Sequence, residues 1–201
     1  MESKDSTSSK TPTLIAVILC GGNSSRMGQP KALLTYHQIP QYQHLLHLAN
    51  QLHLPAFVSC RKDQISWFKT ENNFFLDQPK FANAGPMTGL LSAFQNIQEN
   101  TSILLLACDY PLIQLPHLSL LVQTYQKENK TCFFVNEQTK MPEPLLAIYH
   151  AQDLPKILEN FHQNKTSLRH FLESSNSAQI TGINPSIFKS FDTPEDFASF
   201  G

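Results

Sequence analysis

The run Leu14-Ile15-Ala16-Val17-Ile18-Leu19 leads directly into Cys20-Gly21-Gly22-Asn23-Ser24-Ser25-Arg26-Met27-Gly28-Gln29-Pro30-Lys31. Unbroken apolar residues with branched side chains suit a short strand covered on both faces, as in a parallel sheet. The second stretch reads as a loop. Its glycines let the backbone turn sharply and come close to a ligand. Backbone N–H groups in such a loop, with a helix start nearby, form an anion site. Arg26 and Lys31 add formal positive charge, so strand and loop together read as a strand that ends in a phosphate cradle.

The spacing excludes two familiar loops. A Walker loop requires GxxxxGK[ST], whereas Lys31 follows Gln29 and Pro30. A dinucleotide fingerprint requires GxGxxG, which this stretch lacks.

Downstream, apolar runs alternate with amphipathic ones. Residues 56–60 read as the next strand, after a helix opened by Pro40 with Leu45, Leu46, Leu48, Ala49 and Leu52 on its buried stripe. Residues 32–36 form a short apolar piece between loop and helix. Trp67 and Phe68 lie on a weakly patterned helix, and residues 74–76 form a short strand ended by Asp77. A Gly85-Pro86 turn leads into a helix expected over 90–97. Residues 103–107 give the strongest buried-strand signal and end at Cys108-Asp109-Tyr110-Pro111. A helix is expected over 118–125. Residues 131–135 and 145–149, separated by the polar turn 136–140, read as hairpin neighbours. Helices over 153–161 and 168–172 and a strand over 178–183 come after the hairpin. Thr193 caps a last helix, with Pro194, Glu195 and Asp196 in its first turn. This alternation predicts a single-domain α/β fold, Rossmann-like, with a mainly parallel sheet flanked by helices. Residues 1–12 read as a disordered polar tail and 13–201 as the domain.

Composition narrows the function. The 201 residues carry a net charge of −1, which gives no broad field for nucleic acid or a membrane surface. No apolar run approaches a membrane span, and the polar N-terminus lacks the apolar stretch of a secretory signal. Cys20, Cys60, Cys108 and Cys132 form no CxxC, and the expectation is a reduced, cytoplasmic protein. His44 and His47, i and i+3 on a helix, read as a solvated face rather than a zinc site.

Asp109 ends the most apolar strand. In open α/β sheets ligands gather beyond the carboxyl ends of the strands, where strand order reverses. The glycine loop also follows a strand end, and so does Asp77. A carboxylate facing a phosphate cradle needs a cation between them. Mg²⁺, held by one or two carboxylates and phosphate oxygens, is the usual one. The combination points to a nucleoside triphosphate with Mg²⁺.

These segments together resemble the molybdenum cofactor guanylyltransferases, within the glycosyltransferase-A-like nucleotidyltransferases. The stretch from Leu19 to Lys31 is similar to the family's LxGGxSxRMGxxK. Gly85-Pro86-Met87-Thr88-Gly89-Leu90 is similar to GPLAG, and Cys108-Asp109-Tyr110-Pro111 to CDxP. Glu143-Pro144-Leu145-Leu146-Ala147 resembles a later strand start, and Asp192-Thr193-Pro194-Glu195-Asp196 resembles NTPEDL. The resemblance implies transfer of GMP from GTP onto a molybdopterin phosphate, with release of pyrophosphate. It implies that the backbone at Leu19, Cys20, Gly21 and Gly22 holds the nucleotide, that Lys31 and Arg26 meet the phosphates, that Asp77 helps bind the nucleotide, and that Asp109 ligates Mg²⁺. The implied partners are GTP, the molybdopterin cofactor, and delivery or acceptor proteins for that cofactor. The chain departs from the pattern at Cys20, where alanine is usual, at Ser190 and Asp192, where the family's NxNTP segment has asparagines, and at Gln38-Ile39-Pro40. A CTP-using relative, a different acceptor and a non-catalytic nucleotide-binding module remain the alternatives; Gly21-Gly22 favours the guanylyl reading over the cytidylyl one.

Overall fold

In the computed structural model, which describes residues 13–22, 29–69, 71, 73–191, 193–198 and 200, the apolar run 14–19 is an interior strand of one sheet. Strand β1 (Thr13–Leu19) lies between β2 (Ala56–Cys60) and β4 (Thr101–Ala107), parallel to both. Beyond β2 lies β3 (Phe74–Leu76), also parallel. Beyond β4 lie β6 (Met141–Tyr149), β5 (Cys132–Asn136) and β7 (Ala178–Ile180), which gives the order β3-β2-β1-β4-β6-β5-β7 among the described residues. Only β6 runs against the other six strands. The mainly parallel sheet is therefore as expected, and the hairpin over 131–149 forms.

The unbroken apolar character of β1 and β4 has a direct cause. Successive side chains of a strand point to opposite faces, and here both faces are covered. Ala16, Ile18, Leu104 and Leu106 join the core under α1 (Gln41–Gln51) and α3 (Leu115–Glu128). Ile15, Val17, Ile103 and Leu105 join the core under α2 (Pro86–Phe94), α4 (Leu154–His162) and α5 (Leu168–Ser174). All seven residues of β4 are buried. Each fully buried leucine or isoleucine contributes about 1.5–3 kcal/mol relative to exposure, so these two strands anchor whatever their ends carry.

Several elements differ from the sequence expectation: β7 stops at Ile180 rather than at 183, and α3 runs over Leu115–Glu128 rather than 118–125. Helix α2 begins at Pro86, four residues before the expected 90: proline without an N–H is well suited to the first helical position, and Gly85 supplies the left-handed turn before it (φ 58°). Residues Lys31–Leu33, at the start of the short apolar piece, form a single 3₁₀ turn. The segment with Trp67 is also a 3₁₀ helix, Lys62–Trp67. The chain ends in α6 (Pro194–Ala198), where Thr193 caps as expected: its hydroxyl accepts from the Asp196 N–H at 3.2 Å, and the Asp196 carboxylate accepts from the Thr193 N–H at 3.1 Å. This last segment folds back onto the start of the chain. Tyr36 makes edge contacts with Phe191, Phe197 and Phe200, at centroid distances of 5.0–5.6 Å.

Candidate functional site

The chain runs β1 to β2 to β3 outward on one side of β1, then returns to place β4 on the other side. Strand order thus reverses between β1 and β4, the place where open α/β sheets bind ligands. A cleft of about 580 Å³ opens there, walled by Leu19, Gly21 and Gly22 after β1, by Ser59 and Arg61 at the end of β2, by Asp77 after β3, and by Ala107 and Asp109 at the end of β4. The start of α2, with Gly85, Pro86, Thr88 and Gly89, closes one side. The volume lies within the range of small-ligand sites.

Each wall has a local cause. Gly21 is pressed against Asp77: a Cβ at Gly21 would stand 2.8 Å from Asp77 Oδ2. Gly89 does the same for α2, since a Cβ there would fall 2.5 Å from Leu19 Cδ2 and 2.7 Å from Ser59 Oγ. The two glycines let helix, loop and carboxylate meet at one point. Ser59 Oγ donates to Asp77 Oδ1 at 3.3 Å. Burial pushes the Asp77 carboxyl above its usual range, while the Ser59 hydrogen bond and the Arg61 charge pull it the other way. Arg61 Nη1 donates to the Gly21 carbonyl at 2.8 Å and so pins the chain just past β1.

At the other end of the cleft Asp109 faces Lys31, with Nζ 3.2 Å from Oδ1. The lysine is largely sheltered (14% exposed) and the carboxylate is more open (39%). Lys31 Nζ also lies 3.5 Å from Ser190 Oγ, because the aromatic cluster around Tyr36 brings the end of the chain to this point. The turn after Asp109 is tied on three sides. Tyr110 Oη donates to Glu143 Oε2 at 2.9 Å, Gln41 Nε2 donates to the Tyr110 carbonyl at 3.4 Å, and His37 Nε2 donates to the Pro111 carbonyl at 2.7 Å. Glu143 is itself buried and accepts from Asn136 Nδ2 at 3.0 Å. Burial and the adjacent Glu143 charge push the Tyr110 phenol far up, so it stays a donor.

The structure therefore gathers Leu19, Gly21, Gly22, Asp77 and Asp109 around one cleft, with Lys31 joined to it through Asp109. Cys20 does not line the cleft: its side chain joins the core with Ala16 and Ile18. Arg26 and Asp192 lie outside the described residues. Sequence reasoning missed Arg61, Ser59 and Glu143 as site-building groups. Arg61 carried the same signal as Asp77 and Asp109, a charged residue just past a strand's carboxyl end. Glu143 was visible only as the head of the segment that resembles a later strand start; its bond to Tyr110 was not, because that partner is remote in sequence. His44 packs its ring on His37 at 3.8 Å, and among the described residues no group of three or more His, Cys, Asp or Glu side chains could hold a metal ion.

Fold and cleft together define an open α/β nucleotide-binding domain. The chain matches the MobA-like NTP transferase domain over residues 16–180, and it belongs to that family of nucleotidyltransferases. It is 29% identical, over 92% of its length and 89% of the relative's, to a protein of Nostoc sp. named probable molybdenum cofactor guanylyltransferase. It is 25% identical, over 92% of both chains, to a Bacillus subtilis protein of the same name. The crystal structure of molybdopterin-guanine dinucleotide biosynthesis protein A from Archaeoglobus fulgidus shares the fold, with a TM-score of 0.73 at 20% identity over 92% of this chain and 95% of that one. No helix among the described residues is long and apolar enough to cross a membrane.

Proposed function

We propose that this nucleotidyltransferase transfers GMP from GTP to the phosphate of the molybdenum-molybdopterin cofactor, forming the guanine dinucleotide cofactor and releasing pyrophosphate. The observation that carries it is the convergence of Gly21 and Gly22, Asp77 and the Lys31–Asp109 pair on one cleft at the strand-order reversal. The names of the relatives in Nostoc and Bacillus support the choice of guanine nucleotide and acceptor.

The backbone at Leu19, Cys20, Gly21 and Gly22 holds the nucleotide, with Asp77 behind Gly21. Lys31 turns from Asp109 to the phosphates, and Arg26 joins it on the triphosphate. The acceptor phosphate attacks the α-phosphorus in line, and pyrophosphate leaves. The protein contributes position and charge neutralisation and needs no covalent intermediate. The donor set fits magnesium carried in on the nucleotide: one half-open carboxylate, Asp109, offers hard oxygen ligands, and phosphates and water supply the rest. Bound there, Mg²⁺ would offset charge that builds on the phosphate oxygens.

We read residues 13–201 as one nucleotidyltransferase domain preceded by the tail 1–12. Four free, buried cysteines suit a reducing cytoplasmic setting. Cofactor delivery or acceptor proteins complete the set of partners. The test is pyrophosphate release with GTP or CTP, each with and without molybdopterin. The expected result is release that requires both GTP and molybdopterin. Release with CTP alone among the nucleotides overturns the guanylyl reading.

A further inference from the structure

We propose that Cys20 and Cys108 form a reversible thiol-oxidation site whose closure to a disulfide disables the nucleotide cleft; the functional half of this rests on the nucleotide reading above. The two thiols lie 3.6 Å apart, sulfur to sulfur, across the paired ends of β1 and β4. The register explains why they meet. Leu19 stands opposite Ala107, so the next residues on the two strands are Cys20 and Cys108. Both side chains turn to the same core.

Their position in the chain makes the pair consequential. Cys20 is bonded to Gly21 and Cys108 to Asp109, and Gly21 and Asp109 both line the cleft. A disulfide holds its sulfurs about 2 Å apart, against 3.6 Å here, so closing the pair re-aims both side chains and the strand ends that carry them. On the cleft side these strand ends are held by specific contacts. Gly21 already abuts Asp77, its carbonyl is held by Arg61 at 2.8 Å, and Asp109 is paired with Lys31 at 3.2 Å. A misplacement of about 1 Å at a reacting centre costs on the order of 10²-fold in rate.

The chemistry balances with a peroxide as oxidant. One thiol gives up its proton and its sulfur attacks a peroxide oxygen; the O–O bond breaks, leaving a sulfenic acid, and the departing hydroxide takes that proton as water. The other thiol then displaces a second water to form the S–S bond. A thiol reductant reverses the step by exchange. Burial, the Cys108 contact and the neighbouring charges push the Cys20 thiol well up, so the reduced pair reacts slowly near neutral pH and faster as pH rises. Cys132 is engaged elsewhere, its Sγ donating to the Leu121 carbonyl at 3.5 Å.

The test treats the full chain with hydrogen peroxide, maps its peptides by mass, and measures GTP binding with Mg²⁺ before oxidation, after it, and after dithiothreitol. The expected result is loss of two hydrogens, a Cys20–Cys108 linked peptide, binding weakened on the order of tenfold or more, and recovery with dithiothreitol. Cys108→Ala should bind as the reduced protein does and ignore peroxide, whereas Cys132→Ala should respond like wild type. Because reversal is read on the wild-type chain, a poorly folded variant leaves the test intact. A Cys20–Cys60 link, no internal link, or a Cys20–Cys108 link with unchanged affinity overturns the proposal. Reduced protein that binds neither GTP nor CTP overturns the nucleotide reading instead, while the peptide map still scores the thiol site.

Discussion

Asp77 and Asp109 are both carboxylates at strand ends on one cleft, with β2 and β1 between their strands, yet the protein treats them differently. Asp77 is wedged between Gly21 and Ser59, and its carboxyl is held above the usual range by burial. Asp109 is more open and faces a cation. An ion site needs an accessible oxygen that can exchange partners, as Asp109 offers. A wall that sets the position of a backbone loop needs a fixed group, as Asp77 offers. On this difference we propose that Asp109 serves the charge chemistry and that Asp77 sets shape.

The sharpest way to break that division is Asp109→Asn. It keeps the size and loses the charge, so metal-dependent turnover should fall by on the order of 10²–10³-fold, with an unchanged thermal midpoint. Pyrophosphate release against magnesium concentration reads this. Full activity would remove Asp109 from the mechanism. Its partner should matter less: Lys31→Ala is expected to weaken GTP binding and slow transfer by roughly tenfold, seen as a raised KM with a lowered kcat.

At the other carboxylate the largest effect should come from the glycine. Gly21→Ala places a methyl group 2.8 Å from Asp77 Oδ2, and the carboxylate or the loop must move. Nucleotide affinity should fall by roughly tenfold, at a cost of about 1.4 kcal/mol. In an Asp77→Ala background the same substitution meets no oxygen and should add little. Measured affinities for the two single variants and the double variant test this coupling. Strict additivity would mean that Asp77 does not set the loop.

How far this division could be read in the sequence depends on the range of the contacts behind each feature. Strand β2 matches its expectation residue for residue, and β1 and β4 are longer than expected by one residue and two, because strands covered on both faces print an unbroken apolar run. The glycine pair and the two aspartates were legible as strand-end residues. The contrast between the aspartates was not, because it comes from Ser59 and Arg61 at the end of β2 and from Lys31 after the loop. The hairpin was legible from its turn, but its insertion with β6 beside β4 depends on packing across the whole sheet. Ser190 reaches Lys31 through contacts of Tyr36 with three distant phenylalanines, and no local pattern encodes that.

The smallest expected effect is also the most specific to Asp77. A carboxyl whose folded pKa is raised binds its proton more tightly in the native state than in the unfolded chain. Stability then falls as pH rises through the window between the unfolded value, about 3.9, and the raised folded one, and the loss persists above it. Asp77→Asn keeps an acceptor for Ser59 but cannot ionise. Thermal midpoints of the variant and wild type, compared from about pH 3 to about pH 7 (the range about the ordinary carboxyl value), should diverge in the variant's favour as pH rises and then run parallel. Since Asp77 is only partly buried and the Arg61 charge offsets some of the penalty, the divergence should be a small fraction of the total stability. A divergence of opposite sign would mean that Ser59 and Arg61 outweigh burial, and would make Asp77 a charge partner of the same kind as Asp109.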